Sequence, residues 1–475
     1  MEDTFGPVTH RRLLAMAIPI VLANLTQPIL STVDIGIAGH LGSGAALGGV
    51  ALGGLFFNVI FWGLGFFRMS TTALVAQAHG ARDPAAMRGH LWRALGLAVL
   101  AGLILLALKI VLVPVAIDLL GGGAEVRQAG IAYASARLWS APFALANYVI
   151  LGFLLGSERA TTALLVQALI NLVNIGCAFL LVRTLDLGIA GLGFATATAD
   201  LAGFAVGVVI LWRLRLRDLA PLDGRSLWAG PALKRLVAVN GDIFLRTLCL
   251  VGCFIWFTHA GAALGDRMLA ANALLLNFQT ISSYLLDGFA QAAESLVGGA
   301  IGAGDRQAYR QTVRISTLWA AASAVLIGGV YLVVGPSLIA FLTDSEETRA
   351  AANGYLPWAI ALPLVSVWAF QLDGIFIGAT RTRDLRNGMA ISFVCYLAMA
   401  LGLARIWGNT GLWGAFLGLM AARTIVLGAL YPRIERQAFE TKSTMDACRR
   451  PSLCTAAPAT VPTLPRRSRR RPPSA

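Results

Sequence analysis

The amino-acid sequence predicts an all-α membrane protein that crosses the bilayer twelve times, in two pseudo-symmetric bundles of six helices. Three observations lead to this fold class: an apolar composition, a regular series of long apolar runs, and an internal repeat. Of the 475 residues, 57% are hydrophobic and 13% are charged, and the mean hydropathy is +0.72. Soluble domains are about 45–50% apolar and about 25% charged, so the composition excludes an ordinary soluble protein.

Long apolar runs separated by short polar breaks supply the helices. About 20 apolar residues are enough to cross a bilayer as a helix. The runs of this length cover residues 13–38, 47–78, 90–117, 129–156, 161–183, 189–212, 235–260, 268–300, 312–341, 351–378, 387–406 and 411–432. The first run is too long for the apolar core of a cleavable signal peptide, so none is expected.

Basic residues predict the orientation of these helices. If the N-terminus is cytoplasmic, the segments assigned to the inside hold twenty Arg and Lys residues and those assigned to the outside hold five. Arg and Lys concentrate on the cytoplasmic side of membrane proteins, and an even number of helices returns the chain to its starting side. We therefore expect a multi-pass protein of the inner (plasma) membrane with both termini in the cytoplasm.

An internal repeat divides the chain into two halves. GARDPAAMR at Gly80–Arg88 returns as GAGDRQAYR at Gly302–Arg310, and GFLLG at Gly152–Gly156 returns as GIFIG at Gly374–Gly378, with the same offset along the chain in both cases. Recurrence at a fixed offset indicates duplicated structural units. We predict a first bundle over residues 1–212, a cytoplasmic linker over 213–234, a second bundle over 235–436 and a disordered basic tail over 437–475.

Two equivalent bundles joined by a loose linker are typical of an alternating-access transporter, whose substrate binds between the halves. No Walker A motif, zinc-ligand spacing or catalytic cluster in the short loops is present, so we expect neither an enzyme nor a cofactor. The net charge of +14 is spread over many segments and not concentrated on one surface. We expect small organic substrates, a lipid surrounding, no nucleic-acid partner and a monomer.

Asp34 is the main candidate functional residue, because a charge at the centre of a bilayer costs about 2.5–3.5 kcal/mol or more. It lies in the apolar run Leu13–Gly42. Two prolines, Pro19 and Pro28, precede it, and the outer end of the run follows it. One interpretation is that Asp34 only ends the helix near the far surface. The other is that it couples transport to an ion.

Further polar residues of the first bundle accompany this carboxylate. Asn171 and Asn174 share a face of helix five, and Thr196 and Asp200 share a face of helix six. A carboxylate among amides and hydroxyls, removed from water, can take up and release a proton near neutral pH, and the same oxygens suit Na⁺. Hydrogen bonding between helices, without ion coupling, is the alternative for these side chains.

The second bundle holds more charges, and these can neutralise one another. Asp242 and Arg246 are four residues apart on one helix, and Asp287 and Glu294 are seven apart on the next. The sequence therefore predicts a second-bundle charge cluster with a structural role, at Arg246, Asp287, Glu294 and Asp373. When the two halves are aligned, the counterpart of Asp34 is Phe257, so the second bundle has no acid at that position.

The chain resembles the MATE family of multidrug and toxic-compound extrusion transporters, and within it the DinF-like branch. The resemblance covers about residues 8–436. It rests on VDIGIAGHLG around Asp34, FFRMSTTALVAQAHGARD at 66–83, LGFLLG at 151–156, LINLVNI at 169–175, LDGFAQAAE at 286–294 and LDGIFIGATR at 372–381.

This resemblance implies a V-shaped pair of six-helix bundles and a secondary antiporter that exports organic, often cationic, compounds in exchange for H⁺ or Na⁺. It implies a cation site at Asp34, Asn174 and Thr196. Many relatives carry an acid one helical turn after the second asparagine, where this chain has Ala178. The loss of that carboxylate favours H⁺, with Asp200 the nearest remaining acid. A flippase for lipid-linked precursors is the alternative, which the few basic residues facing the cleft disfavour.

Overall fold

The computed structural model describes residues 5–39, 44–214 and 230–449, and α-helices account for nearly all of them. The helices are α1 (His10–Gly39), α2 (Gly44–Leu64), α3 (Phe66–Gly80), α4 (Pro84–Leu120), α5 (Ala124–Arg137), α6 (Ala141–Gly156), α7 (Ala160–Phe179), α8 (Gly188–Arg213), α9 (Gly230–Ala262), α10 (Asp266–Ala303), α11 (Arg306–Leu342), α12 (Glu346–Gly378) and α13 (Thr382–Arg449). The first bundle comprises α1–α8 and the second α9–α13.

The twelve predicted membrane crossings are all present as helix. Ten helical stretches of the described chain are long and apolar enough to span a bilayer, and α2 with α3, like α5 with α6, forms one such stretch. The last stretch, 58 residues long, is broken at Gly408, whose φ of 55° is not helical, between the two crossings predicted there. α10 supplies the remaining crossing. It is not among the ten because it contains more polar residues.

Two predicted boundaries differ from the structure. The sequence predicts disorder from residue 437, but α13 continues to Arg449, and Phe439 packs edge-to-face on Tyr309 with the ring centroids 5.5 Å apart. The Pro, Ser and Arg-rich composition behind that prediction begins only after Arg449. α9 begins at Gly230, inside the predicted linker, whose residues 215–229 lie outside the described chain.

The internal repeat is visible in the backbone. Asp83 and Asp305, which occupy equivalent positions of the repeat, each cap the next helix by accepting a hydrogen bond from the backbone N–H three residues later. The residues before them, Arg82 and Gly304, both have positive φ, at 52° and 77°. The same turn therefore closes α3 in the first bundle and α10 in the second.

Helix packing repeats in the same way. A Cβ added to Gly152 of α6 would lie 2.6 Å from the carbonyl oxygen of Arg68, and one added to Gly374 of α12 would collide with the carbonyl oxygen of Ala290. Both members of the second pair are the repeat equivalents of those of the first. Glycine thus permits the close approach of α6 to α3 and of α12 to α10.

The two bundles meet where α3 and α10 end. A Cβ on Gly80 would collide with the carbonyl oxygen of Gly299, and a Cβ on Gly302 with that of Gln77. These two contacts are equivalent under the repeat, because Gly80 corresponds to Gly302 and Gln77 corresponds to Gly299. We call this contact, made by residues 73–80 of α3 and 295–302 of α10, the seam.

A pseudo-two-fold axis passes through the seam. Ala76 and Gly298 occupy equivalent positions in the repeat, and a Cβ on Gly298 would lie 2.8 Å from the Cβ of Ala76. Equivalent residues can touch each other only next to a symmetry axis. The axis therefore runs between these two residues.

We expect Gly80→Ala to destabilise the protein by about 1–3 kcal/mol, because an added methyl group would force the two backbones of the seam apart. Gly354→Ala is the matched control, since this helical glycine is exposed and has nothing within 4 Å of an added Cβ. The measurement is the thermal unfolding midpoint of each purified variant in one detergent. Equal midpoints for the two variants would contradict the tight contact.

Candidate functional site

Asp34 lies inside α1 and does not cap it. The helix continues to Gly39, and a carboxylate near a helix C-terminus is disfavoured by the helix dipole. The side chain is buried, at 7% exposure, and its Oδ1 has no hydrogen-bond partner among the described residues. Buried polar atoms are rarely left unpaired, so this oxygen is available to a proton or a ligand.

Arg137 is the cation beside Asp34. Its guanidinium donates a hydrogen bond of 2.8 Å to the hydroxyl of Tyr133 and stacks 4.4 Å from the ring centre of Phe57. It interacts electrostatically with both Asp34 and Asp200. The residues predicted for the site do not include Arg137, although its spacing of four residues from Tyr133 is the signal for a helical pair.

Asn174 and Thr196 come together as the sequence predicts. The amide of Asn174 donates a hydrogen bond of 2.9 Å to the hydroxyl of Thr196, which joins α7 to α8. The Oδ1 of Asn174 and the Nδ2 of Asn171 are buried without a partner, and Asn171 accepts a bond of 3.2 Å from Gln167. Each of these two amides therefore has one buried atom that can still form a hydrogen bond.

Asp200 contacts a different helix from the one its predicted neighbours suggest. Ser140, just before α6, and Asn147, within it, are polar neighbours of its carboxylate, and Asn147 donates to the backbone carbonyl of Asp200 at 2.9 Å. Ser140 and Asn147 were missed because neither is charged. Asp34 and Asp200 share Arg137 as their electrostatic neighbour.

The second bundle contains a buried cluster of two cations and one anion. The guanidiniums of Arg246 in α9 and Arg423 in α13 both donate to the same oxygen of Asp373 in α12. The side chains of Arg246, Arg423 and Asp373 are 9%, 2% and 7% exposed, respectively. We call these three residues the arginine cluster.

The predicted second-bundle charge cluster is wrong in its membership. Arg246 and Asp373 pair, but Asp242 does not pair with Arg246, its neighbour on the same helix. Asp242 accepts hydrogen bonds from Thr382 at 2.9 Å and from Arg386 at 2.7 Å. Asp242 takes its partners from α13 and Arg246 takes Asp373 from α12, so the i,i+4 pair does not form.

Asp287 and Glu294 lie at the boundary between the bundles, not in the arginine cluster. Arg68 of the first bundle donates to Gln291 at 2.5 Å and lies 4.0 Å from Asp287, which accepts a bond of 2.6 Å from Gln291. Glu294 is buried with its Oε1 unpartnered, and its electrostatic neighbours are Arg68 and Asp287. The second bundle therefore does not neutralise its own charges.

The counterpart of Asp34 in the second bundle is aromatic in character. Phe257 is fully buried, with ring centroids 5.0 Å from Trp413 and 5.2 Å from Phe416. A carboxylate could not replace it without losing this packing. The two bundles thus share a backbone and differ in the chemistry of their interiors.

The MatE family model matches each half of the chain separately, over residues 19–180 and 243–404. DNA damage-inducible protein F of Escherichia coli is 37% identical over 426 residues, which are 90% of this chain and 92% of that protein. A probable multidrug resistance protein NorM of Bradyrhizobium diazoefficiens is 26% identical, with 88% of this chain and 92% of the relative covered.

Solved structures have the same fold at low sequence identity. The eukaryotic MATE transporter AtDTX14 superposes with a TM-score of 0.81 at 17% identity, covering 91% of this chain and 98% of the other. A MOP-superfamily transporter of Pyrococcus furiosus superposes with a TM-score of 0.78 at 17% identity, covering 94% and 98%. These neighbours have the V-shaped two-bundle architecture.

The fold is therefore that of a polytopic membrane transporter, not an enzyme. The two matches to the family model and the extent of the identity to its relatives show that the chain belongs to the MATE family.

We expect Asp373→Asn to destabilise the protein by about 3–5 kcal/mol, because the substitution leaves two buried guanidiniums without their shared counter-charge. Asp118→Asn is the control. Asp118 pairs with Arg127 at 3.2 Å, but its side chain is 58% exposed, so the loss there should be at most about 1 kcal/mol. Thermal unfolding in detergent compares the two, and a smaller loss for Asp373→Asn than for the control would contradict the cluster.

Proposed function

We propose that this transporter is a secondary antiporter that exports organic, often cationic, compounds in exchange for H⁺, by alternating access. Asp34 is the principal coupling group. The observation that carries the proposal is the buried carboxylate of Asp34, whose Oδ1 has no partner in the described protein. Several relatives are named as multidrug resistance proteins, which supports drug-like substrates.

Protons suit this site better than Na⁺. A sodium ion needs several oxygen ligands around it, and the position one turn after Asn174 is the fully buried methyl group of Ala178, not a second acid. Arg137 already supplies a positive charge next to Asp34 and Asp200, which raises the cost of adding a metal cation. A proton requires only the single free oxygen and also removes the negative charge of Asp34.

The seam supports alternating access. It closes the end of the molecule that carries the Arg82 and Gly304 turns, the end assigned to the cytoplasm by the distribution of basic residues. Opening that end requires α3 and α10 to separate, while the contacts within each bundle persist. We assign both termini to the cytoplasm, the protein to the inner membrane as a monomer, and the bundles to residues 1–212 and 235–436 with a linker over 213–234.

We expect Asp34→Asn to abolish substrate movement driven by an imposed pH gradient in proteoliposomes, because the amide cannot exchange a proton. Asp118→Asn, at an exposed carboxylate, should transport as the unaltered protein does. The assay follows a fluorescent organic cation under a proton gradient and, separately, under a sodium gradient. Normal proton-driven transport by the folded variant would contradict the role assigned to Asp34. Sodium-driven transport by the unaltered protein would contradict H⁺ as the coupling ion.

We expect a cross-link between the two bundles, from α3 to the turn that follows α12, to stop transport. Gln77 of α3 donates to the carbonyl of Gly378 at 2.9 Å and to Thr380 at 3.3 Å, so cysteines at 77 and 380 can be joined by a short bifunctional reagent after the six native cysteines are replaced. The control joins positions 12 and 158, which pair at 2.7 Å within the first bundle. Unimpaired transport by the protein cross-linked between 77 and 380 is the contrary result.

A further inference from the structure

The arginine cluster is unbalanced in charge. Arg246 and Arg423 both donate to one oxygen of Asp373, so the three buried side chains carry one excess positive charge. The groups that interact electrostatically with Arg423 are Asp373, Arg246 and the thiol of Cys253. No second acid among the described residues forms a salt bridge with either arginine. An uncompensated buried charge is costly, so the excess calls for a functional explanation.

The cluster also has unused hydrogen-bonding atoms. The Nε of Arg246 and the Oδ1 of Asp373 are buried without partners, which means that neither ion pair is bidentate. A guanidinium presents its N–H groups in a fork that matches a carboxylate or a similar oxyanion. Arg246 therefore retains a donor that an additional anion would satisfy.

Helix α9, which carries Arg246 of the cluster, borders the first bundle. On α9, Phe244 packs against Phe66 with ring centroids 6.1 Å apart, and Phe254 packs against Trp62 at 5.9 Å. Arg246 lies between these two phenylalanines in the sequence. Arg246 is thus carried by a helix that contacts the first bundle, and an alternating-access transporter binds its substrate between its two bundles.

The site around Asp34 in the first bundle has the opposite excess. Asp34 and Asp200 share one cation, Arg137, through their electrostatic interactions. The site around Arg137 therefore carries a surplus of negative charge, and the arginine cluster carries a surplus of positive charge. A molecule that bears both a cationic and an anionic group matches this pair of sites.

We propose that the arginine cluster binds an anionic group, such as a carboxylate or sulfonate, of the organic substrate. The proposal deepens the antiport function proposed above and rests on it. The substrates it selects are zwitterionic compounds, whose cationic part is directed to the acids of the first bundle. Phe370, whose ring centre lies 6.0 Å from the guanidinium of Arg423, supplies an aromatic face beside the charged group.

The test compares two dyes that differ at one group. Rhodamine 110 has a free carboxylate and a cationic ring system, and rhodamine 123 is its methyl ester and only a cation. Fluorescence polarisation measures the binding of each dye to the purified protein in nanodiscs. Arg246→Gln should weaken the binding of rhodamine 110 by at least about tenfold, and that of rhodamine 123 by much less. Arg246→Lys, which keeps the charge but lacks the guanidinium fork, should weaken the binding of rhodamine 110 less than Arg246→Gln does.

Two controls separate charge from structure. Arg386→Gln removes the partner of Asp242 outside the cluster and should change the binding of neither dye. If Arg246→Gln does not fold, Arg423→Gln removes the other guanidinium of the cluster. Replacing chloride with gluconate distinguishes an organic anion from a small inorganic one, since competition from chloride alone would show a site for free anions and overturn the substrate assignment.

Equal losses for both dyes in Arg246→Gln overturn the proposal, because they indicate a structural role. Failure of the unaltered protein to bind rhodamine 110 overturns it as well. Proton-driven transport of rhodamine 123 alongside either result leaves the antiport function standing. If the unaltered protein binds rhodamine 110 but does not transport rhodamine 123 under a proton gradient, the result counts against the antiport function alone.

Discussion

The contact between α3 and α10 is the interaction on which the architecture depends. Lipid tails are as apolar as leucine, so helices in a bilayer gain little from burying aliphatic side chains against each other. They associate instead through close packing, and close packing requires small residues. Gly80, Ala76, Gly298 and Gly302 provide these at the seam. The contact joins the two bundles, which also meet where α1 packs on α10, and it places Arg68 within reach of Gln291 and Asp287 on the other bundle.

The interiors of the bundles show how a duplicated fold acquires two functions. The turns at Arg82 and Gly304, the caps at Asp83 and Asp305, and the glycines facing α3 and α10 persist in both halves. The buried charges do not persist. Asp34 has an aromatic counterpart, and the arginine cluster has no equivalent set of ion pairs in the described first bundle. Backbone geometry is retained because packing depends on it, whereas an isolated interior charge depends only on its local partners.

Most of the fold can be predicted from the sequence, because apolar run length and the constant offset of the repeat are local or one-dimensional signals. The resemblance to the MATE family placed Asn174 and Thr196 in one site, and the structure joins them by a hydrogen bond between consecutive helices. The partners of Asp242, Arg68 and Asp287 cannot be predicted. Arg386 lies 144 residues from Asp242, and Gln291 lies 223 residues from Arg68. Pairs at such separations are decided by tertiary packing, which an i,i+4 rule does not describe.

The placement of Ala76 against Gly298 has a consequence for the origin of the chain. A patch that contacts its own repeat across a two-fold axis is the interface of an isologous dimer. Two separate half-length polypeptides could make every contact of this kind without a covalent connection. The covalent connection between the halves therefore need only keep them at a high local concentration, since glycine and alanine at the axis let the two backbones approach in one register. The single chain has the geometry of a fused homodimer whose two copies have since been free to take different buried charges.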